Sequence, residues 1–317
     1  MDLASLPSYQ ELPIRPDLPK GSAWGVFGDD DQLGTLNLLT AERVAAAAGL
    51  VRTGRVFPLS QDMDATIEAM GRPPFRHVIE FDSTGADDRF DALSTQGSTC
   101  WDSMSRIAHP AHGYYNGCRQ EDITGRPESR NGIDNAARHG IAGRFVLADL
   151  GRWREAAGQP FDMTASQPVD VGELEACLEA AGAELRVGDI LLLRFGWTRW
   201  HERARSAETV PDRHAGTGAP GLSHDESTAA WLWDRHVAAV VADNTALEVL
   251  PFELGSEDAF LHLRLIPLLG ITIGELFALE DLAADCAADG VYEGLFVAAP
   301  FNKVGGVGSP GNALAMK

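Results

Sequence analysis

Residues 94–106 read Ser-Thr-Gln-Gly-Ser-Thr-Cys-Trp-Asp-Ser-Met-Ser-Arg, which places a thiol (Cys100), a carboxylate (Asp102) and a guanidinium (Arg106) in one short segment. Cys100 admits three readings: a small buried hydrophobe, a metal ligand, or a thiolate nucleophile. The third needs the N-terminus of a helical segment over 101–107 and the charge of Arg106 to activate the sulfur, with His262 or His109 as base. Asp102 sits where that helix would start, either as a carboxylate favoured by the helix dipole or as part of a site. Arg106 is a planar cation suited to a carboxylate, enolate or phenolate, or to an oxyanion. Its alternative is a salt bridge to Asp102, four residues earlier on the same helix face. Trp101, Tyr114, Tyr115, Trp197 and Phe301 are candidates for an aromatic substrate pocket, although such side chains more often fill cores. His109 and His112 flank Pro110 in a loop and read as surface histidines.

Such groups need elements to hold them. Thr40 is suited to cap a helix over 43–48 that Gly49 stops. Residues 55–59 and 77–81 have strand composition with punctuation at 71–74, and the polar, acidic stretch 85–90 reads as a loop. Residues 144–150 are expected as a buried strand, 171–181 as a helix ending at Gly182, and 188–194 as another strand. The glycine- and proline-rich stretch 201–221 is expected to form a long loop that could lie over a site. Residues 227–235 follow as helix and 237–242 as a buried strand ending at Asp243. The strand–helix–strand pattern repeats through 261–269, 280–288 and 294–299, which makes the class mixed α/β. No repeat or long linker divides the chain, so 23–317 is expected to be a single catalytic domain. Residues 1–22 carry four prolines and read as an arm. The acidic run 29–31 reads as a solvated turn. The glycine-rich run 305–308 lacks a strand–helix context for phosphate, and no Gly-x-Ser-x-Gly elbow is present.

Several further stretches join the 94–106 segment in pointing to one family. They are Trp24-Gly25, the run Gly34-Thr35-Leu36-Asn37-Leu38-Leu39-Thr40, Gly188-Asp189-Ile190-Leu191-Leu192, Asp243-Asn244 and the stretch 262–275. Together they resemble the cyclase family that includes bacterial kynurenine formamidase and isatin hydrolase, over most of the chain beyond Lys20. The resemblance implies a swivelling β/β/α domain and assembly as a homodimer or homotetramer, with the proline-bearing arm as a contact. It also implies a signature His-x-Gly-Thr-His-x-Asp-x-x-x-His, whose first two histidines and aspartate bind a divalent metal and whose last histidine serves the catalytic centre. Laid on it, Gln96 stands at the first histidine, Cys100 at the second, Asp102 at the aspartate and Arg106 at the last. An amide oxygen is a weak ligand and a guanidinium none, so Cys100 and Asp102 are left as candidate metal ligands. A zinc or manganese ion would then need Gln96, His262 or Glu275 to complete its shell. His262 and Glu275 match the family's second pair, which binds a second metal or acts as acid and base; the alternative for His262 is a core histidine.

The function this implies is hydrolysis of an amide or lactone bond in a small cyclic or aryl-substituted molecule. His262 and Glu275 would handle protons and Asp102 orient a water or metal. Cys100 would be ligand or nucleophile, and Gln96 and Arg106, with Trp101 and Tyr115, would hold the substrate. Two alternatives remain open: a metal-independent cyclase or dehydratase of secondary metabolism, and a silent paralogue that only binds.

Composition bounds these readings. The chain has 317 residues, 44% hydrophobic and 23% charged, as folded globular proteins do. Acidic residues outnumber basic ones 46 to 26, for a net charge of −20. That charge repels phosphate backbones and anionic lipid surfaces, so neither nucleic acid nor membrane is an expected partner. No apolar run approaches the roughly 20 residues of a membrane helix. Four cysteines without a CxxC pair and the absence of a secretory pattern in 1–22 lead to an expected cytoplasmic address with reduced thiols.

Overall fold

Four short apolar runs form the centre of the fold, which a computed structural model describes for residues 6–65, 72, 74–207, 218–252 and 260–317. In chain order the strands are β1 (Val56–Pro58), β2 (Arg76–Phe81), β3 (Ala86–Asp91), β4 (Cys100–Asp102), β5 (Ile141–Ala148), β6 (Pro168–Val169), β7 (Ile190–Leu193), β8 (Gly221–Leu222), β9 (Ala239–Ala242), β10 (Thr272–Glu275), β11 (Glu293–Ala298), β12 (Gly308–Pro310) and β13 (Ala313–Met316). The helices are α1 (Ala41–Ala48), α2 (Ile133–His139), α3 (Leu150–Ala156), α4 (Val171–Ala180), α5 (Trp197–Ser206), α6 (Glu226–Asp234), α7 (His262–Leu265) and α8 (Glu280–Asp289).

Nine strands form one sheet in the order β1-β13-β11-β5-β7-β9-β10-β4-β12. Neighbours among β5, β7, β9 and β10 are parallel, and the flanking strands on both sides run antiparallel. A parallel strand covered on both faces needs no polar alternation, which is why β7 reads Ile-Leu-Leu-Leu and β9 reads Ala-Val-Val-Ala. Leu191, Leu193 and Val240 pack with Leu174 and Cys177 of α4 and Leu232 of α6 on one face. Ile190, Leu192 and Val241 pack with Ile133 of α2 and Leu282 of α8 on the other. No helix among the described residues is long and apolar enough to cross a membrane.

Several expectations hold. The Thr40 hydroxyl accepts from the Arg43 N–H at 3.4 Å, and α1, β5, β7, α4, α6, β9, α8 and β11 lie where composition put them. Others need correction. Residues 86–91 form a strand, because Asp82 closes a tight turn by accepting from the Thr84 and Gly85 N–H groups. Polar cross-strand contacts (Arg76–Asp91, His77–Asp88, Arg89–Glu80) then line the two paired strands where apolar alternation is missing. Residues 261–269 hold the short helix α7 rather than a strand, and the strand follows as β10. The stretch 201–221 continues α5 through Ser206, its residues 208–217 lie outside the described ones, and so do positions 71 and 73 of the punctuating segment and positions 1–5 of the arm. Pro7 and Tyr9 of the arm lie on α6 of the same chain, the Trp233 indole donating to the Pro7 carbonyl at 2.8 Å and the Tyr9 N–H to Asp234 at 2.6 Å, while Arg15 pairs with Asp29.

Candidate active site

The 101–107 segment is not helical. Cys100, Trp101 and Asp102 form β4, an edge-ward neighbour of β10, with Cys100 opposite Glu275 and Trp101 opposite Gly274. Successive side chains of a strand point to opposite faces. Cys100, Asp102 and Glu275 therefore share one side, and Trp101 lies on the other, where its ring packs edge-on against Phe277 at 5.1 Å. A turn after Asp102, closed by the Arg106 N–H donating to the Ser103 carbonyl (3.0 Å), brings the guanidinium back over the carboxylate. Arg106 Nε lies 3.5 Å from Asp102 Oδ1. The expected ion pair exists, made by a turn and not by a helix face.

His262 arrives from the far side of the sheet end, at the start of α7. Its ring Nδ1 lies 2.7 Å from Glu248 Oε1, and its backbone N–H donates to Glu248 Oε2 at 3.1 Å. Nδ1 thus faces Glu248, and Nε2 is turned toward the other acids. Nε2 lies 3.3 Å from Glu275 Oε1 and 4.0 Å from Asp102 Oδ2. Phe260 stacks on the imidazole face at 4.6 Å and 8°. Glu248 escaped the sequence reading, although a signal was present: a lone acid in the apolar run 246–250, just past Asp243-Asn244 at the carboxyl end of a buried parallel strand, the edge where such sheets place ligands.

Burial governs the electrostatics. Asp102 and His262 are each 3% exposed and Glu248 0%, while the Arg106 side chain at 29% and that of Glu275 at 11% form the outer edge. Burial and then the Glu275 carboxylate push Asp102 up to about 7, against Arg106 and His262. Burial also pushes Glu248 up. It would pull the imidazole of His262 down, but Glu248 and Glu275 outweigh it and hold that ring well above its ordinary value. The cluster is thus rich in buried carboxylates and short of positive charge.

That shortage suits a cation. One ligand atom from each of Asp102, His262 and Glu275 lies within 4.8 Å of the others. Ligand atoms held at about 2.0–2.2 Å around one zinc ion sit on the order of 3.4 Å apart, close to the separations from Nε2. Glu248 behind the imidazole is the outer carboxylate that fixes a ligating histidine. Asp102 Oδ1, 3.5 Å from Arg106 Nε, is buried without a hydrogen bond among the described residues. The residues present therefore fit a divalent ion at Asp102, His262 and Glu275; of the two expected ligands Asp102 belongs to this group and Cys100 does not.

Cys100 lies at the margin, its Sγ 3.9 Å from Glu275 Oε2. Burial first, then Glu275 and Asp102, push the thiol well above its ordinary value. With no helix N-terminus behind it and carboxylates in front, it is a neutral thiol, which corrects the nucleophile expectation. Gln96 is buried against Gly308, the residue opposite Asp102 on β12, and its Nε2 has no hydrogen-bond partner among the described residues; its backbone carbonyl accepts from Arg72. The Arg106 Nε, beyond its 3.5 Å pairing with Asp102, is likewise buried without a hydrogen bond among the described residues. Trp101 and Tyr115 are not brought to the cluster. The Trp101 indole donates to the Gly311 carbonyl at 2.8 Å, and the Tyr115 hydroxyl donates to Asp31 at 3.0 Å while its ring packs under Gly270. Both are core residues, which corrects their expected contact with substrate. His109 stacks on His112 at 4.7 Å, in the loop before Tyr114.

Comparison with known proteins gives the family and the fold. The Cyclase family model, described as "Putative cyclase", matches residues 57–249. A solved structure described as a novel cyclase is 32% identical, with a TM-score of 0.80 over 93% of this chain and 99% of its own. Isatin hydrolase A from Ralstonia solanacearum is similar at 18% identity and a TM-score of 0.60, over 87% of this chain and 97% of its own. An isatin hydrolase bound to the product analogue thioisatinate is similar at 17% and 0.61, over 88% and 99%. At such identities the last two share the fold, a mixed α/β architecture on a large sheet. Among curated proteins nothing matches the chain.

Proposed function

Because the chain belongs to the cyclase family, we propose that it is a hydrolase that opens an amide or lactone bond in a small cyclic or aryl-substituted molecule. The observation that carries this reading is the convergence of Asp102, His262 and Glu275 from three separate elements, with Arg106 paired to Asp102 at 3.5 Å and with the buried Gln96 Nε2 lacking a hydrogen-bond partner among the described residues. Unpaired buried groups are costly, about 1–3 kcal/mol each, and persist where a ligand completes them.

Carbonyl hydrolysis needs the carbonyl oxygen stabilised, a water deprotonated and a leaving group protonated. Arg106, paired to Asp102 through Nε and with its side chain 29% exposed, offers the remaining guanidinium N–H groups to the substrate's oxygens, and Gln96 offers its side-chain amide. Glu275, at the outer edge with one oxygen toward His262 and the other toward Cys100, receives the water proton and returns it to the leaving nitrogen or oxygen as the bond to the carbonyl carbon breaks. Glu248 holds His262 in the orientation that directs Nε2 inward. A divalent ion held by Asp102, His262 and Glu275 would supply Lewis acidity toward the carbonyl. A second reading, a metal-independent cyclase or dehydratase, draws on Asp102 itself, since a carboxyl at about 7 can donate a proton near neutral pH.

Isatin, N-formylkynurenine and simple aryl lactones, offered to the purified protein with and without a chelator, separate these readings. Turnover that the chelator abolishes is the expected result. Chelator-insensitive turnover shifts the assignment to the metal-independent enzyme, and no turnover of any of them counts against the hydrolase reading.

A further inference from the structure

Both glutamates that flank the His262 ring stand next to a leucine whose backbone is left-handed. Leu247, just before Glu248, and Leu276, just after Glu275, each have φ 59°. Glycine, asparagine and aspartate visit that region readily, whereas a bulky apolar residue is held there at a cost in free energy. Of the described non-glycine residues with positive φ, these are the two large aliphatic ones. Such strain persists only where the surroundings fix the backbone, and it collects where a side chain has to be aimed.

The fixing bonds lead to one residue. Asn244, 1% exposed, lies in the bend that follows β9. Its backbone carbonyl accepts from the Leu276 N–H at 3.0 Å. Its side-chain Nδ2 donates to the Leu247 carbonyl at 3.2 Å and to the Pro220 carbonyl at 2.8 Å. The Leu276 carbonyl is held in turn by Thr99 Oγ1 at 2.6 Å and Gln61 Nε2 at 2.7 Å, both donating to it. Asn244 therefore bonds to the residue before one glutamate and to the residue after the other. Those glutamates meet the imidazole at opposite nitrogens, Glu248 at Nδ1 (2.7 Å) and Glu275 at Nε2 (3.3 Å). One buried residue thus ties down the backbone at both ends of the Glu248–His262–Glu275 chain. The residue type follows as well: two N–H donors on a short side chain require an amide, since aspartate offers none and serine one.

We propose that Asn244 is a positioning residue, which anchors Leu247 and Leu276 in their left-handed conformation and so aims Glu248 and Glu275 at the two ring nitrogens of His262. Its effect on turnover rests on the hydrolytic reading; its effect on the imidazole does not.

The test follows the imidazole as well as the rate. In the full chain carrying isotope-labelled histidine, His262, assigned by the signal lost in His262→Gln, reports its contact with Glu248 through the NMR shift of Nδ1. Asn244→Ala should move that shift and lower kcat by at least about tenfold, with KM within threefold, on whichever of isatin, N-formylkynurenine or an aryl lactone the wild type hydrolyses. Leu178→Ala, a core truncation on α4, shows what lost stability does by itself, and should leave the shift in place and kcat within twofold. Should circular dichroism show Asn244→Ala unfolded, Asn244→Ser, with one donor in place of two, carries the same expectations. An unmoved Nδ1 shift in a folded Asn244 variant overturns the assignment, and so does an equal displacement in Leu178→Ala. A wild type that hydrolyses none of the substrates counts against the hydrolytic reading, and the Nδ1 shift then decides the role of Asn244.

Discussion

Asp102 divides its two oxygens, Oδ1 toward Arg106 and Oδ2 toward His262, and so joins a fixed cation to a group of acids that is short of one. Its neighbour two residues back shares that side of the strand but not its chemistry. A thiol raised by burial and by two carboxylates stays protonated, and protonated thiols are poor nucleophiles. Cys100→Ser should therefore keep kcat within about threefold of the wild type, and brief treatment with iodoacetamide should leave activity intact. A loss of two orders of magnitude in Cys100→Ser would restore the thiolate mechanism. The side-chain types of this site were legible in the sequence, but their partners were not. Asp102, His262 and Glu275 could be picked out individually, whereas the clamp from Glu248 depends on residues 248 and 262 meeting in space, which no spacing rule encodes.

The strands β4 and β10 deliver the cluster as a pair, and Gly274 is what lets them pack. A Cβ there would lie 2.8 Å from Phe277 Cε2 and 3.1 Å from both Trp101 Cζ3 and Val241 Cγ2, with aromatic rings that have nowhere to move. Gly274→Ala should cost about 1–3 kcal/mol of stability by overpacking and lower activity with it, because Glu275 is the next residue. Urea unfolding followed by tryptophan fluorescence measures the first effect; an unchanged midpoint would contradict it. At this scale the sequence was uneven as a guide. The long apolar runs of β7 and β9 and the Thr40 cap carried their own signals. The three residues of β4 did not, since a strand that short has no period to read, and the acidic residue at its end imitates a helix start. The hairpin of β2 and β3 was half visible, because polar contacts line its facing strands, which a search for apolar alternation passes over.

Over the whole molecule, buried acids set the pH response of stability. Asp243 ends β9 and accepts from the Phe195 and Gly196 N–H groups, each at 2.7 Å, tying the carboxyl ends of β7 and β9 together. Burial, opposed by Arg194, raises it from 3.8 to about 7. A carboxyl raised on folding stabilises the native state fully below its unfolded pKa, and the contribution disappears as pH climbs through the folded value. The melting temperature of the wild type should consequently fall more steeply between about pH 4 and 7 than that of Asp243→Asn, with an effect of up to a few kcal/mol. Parallel curves would show that Asp243 is ionised throughout. The mixed α/β class and the family were readable from the chain alone; the order of nine strands, and with it the meeting of residues 102, 248, 262 and 275, was not. The most direct test of that meeting is the ratio of kcat/KM between wild type and Asp102→Asn, on whichever of isatin, N-formylkynurenine or an aryl lactone the wild type hydrolyses. A loss of about 10²–10⁴-fold, with circular dichroism unchanged, is the predicted result; activity within threefold of the wild type would contradict it.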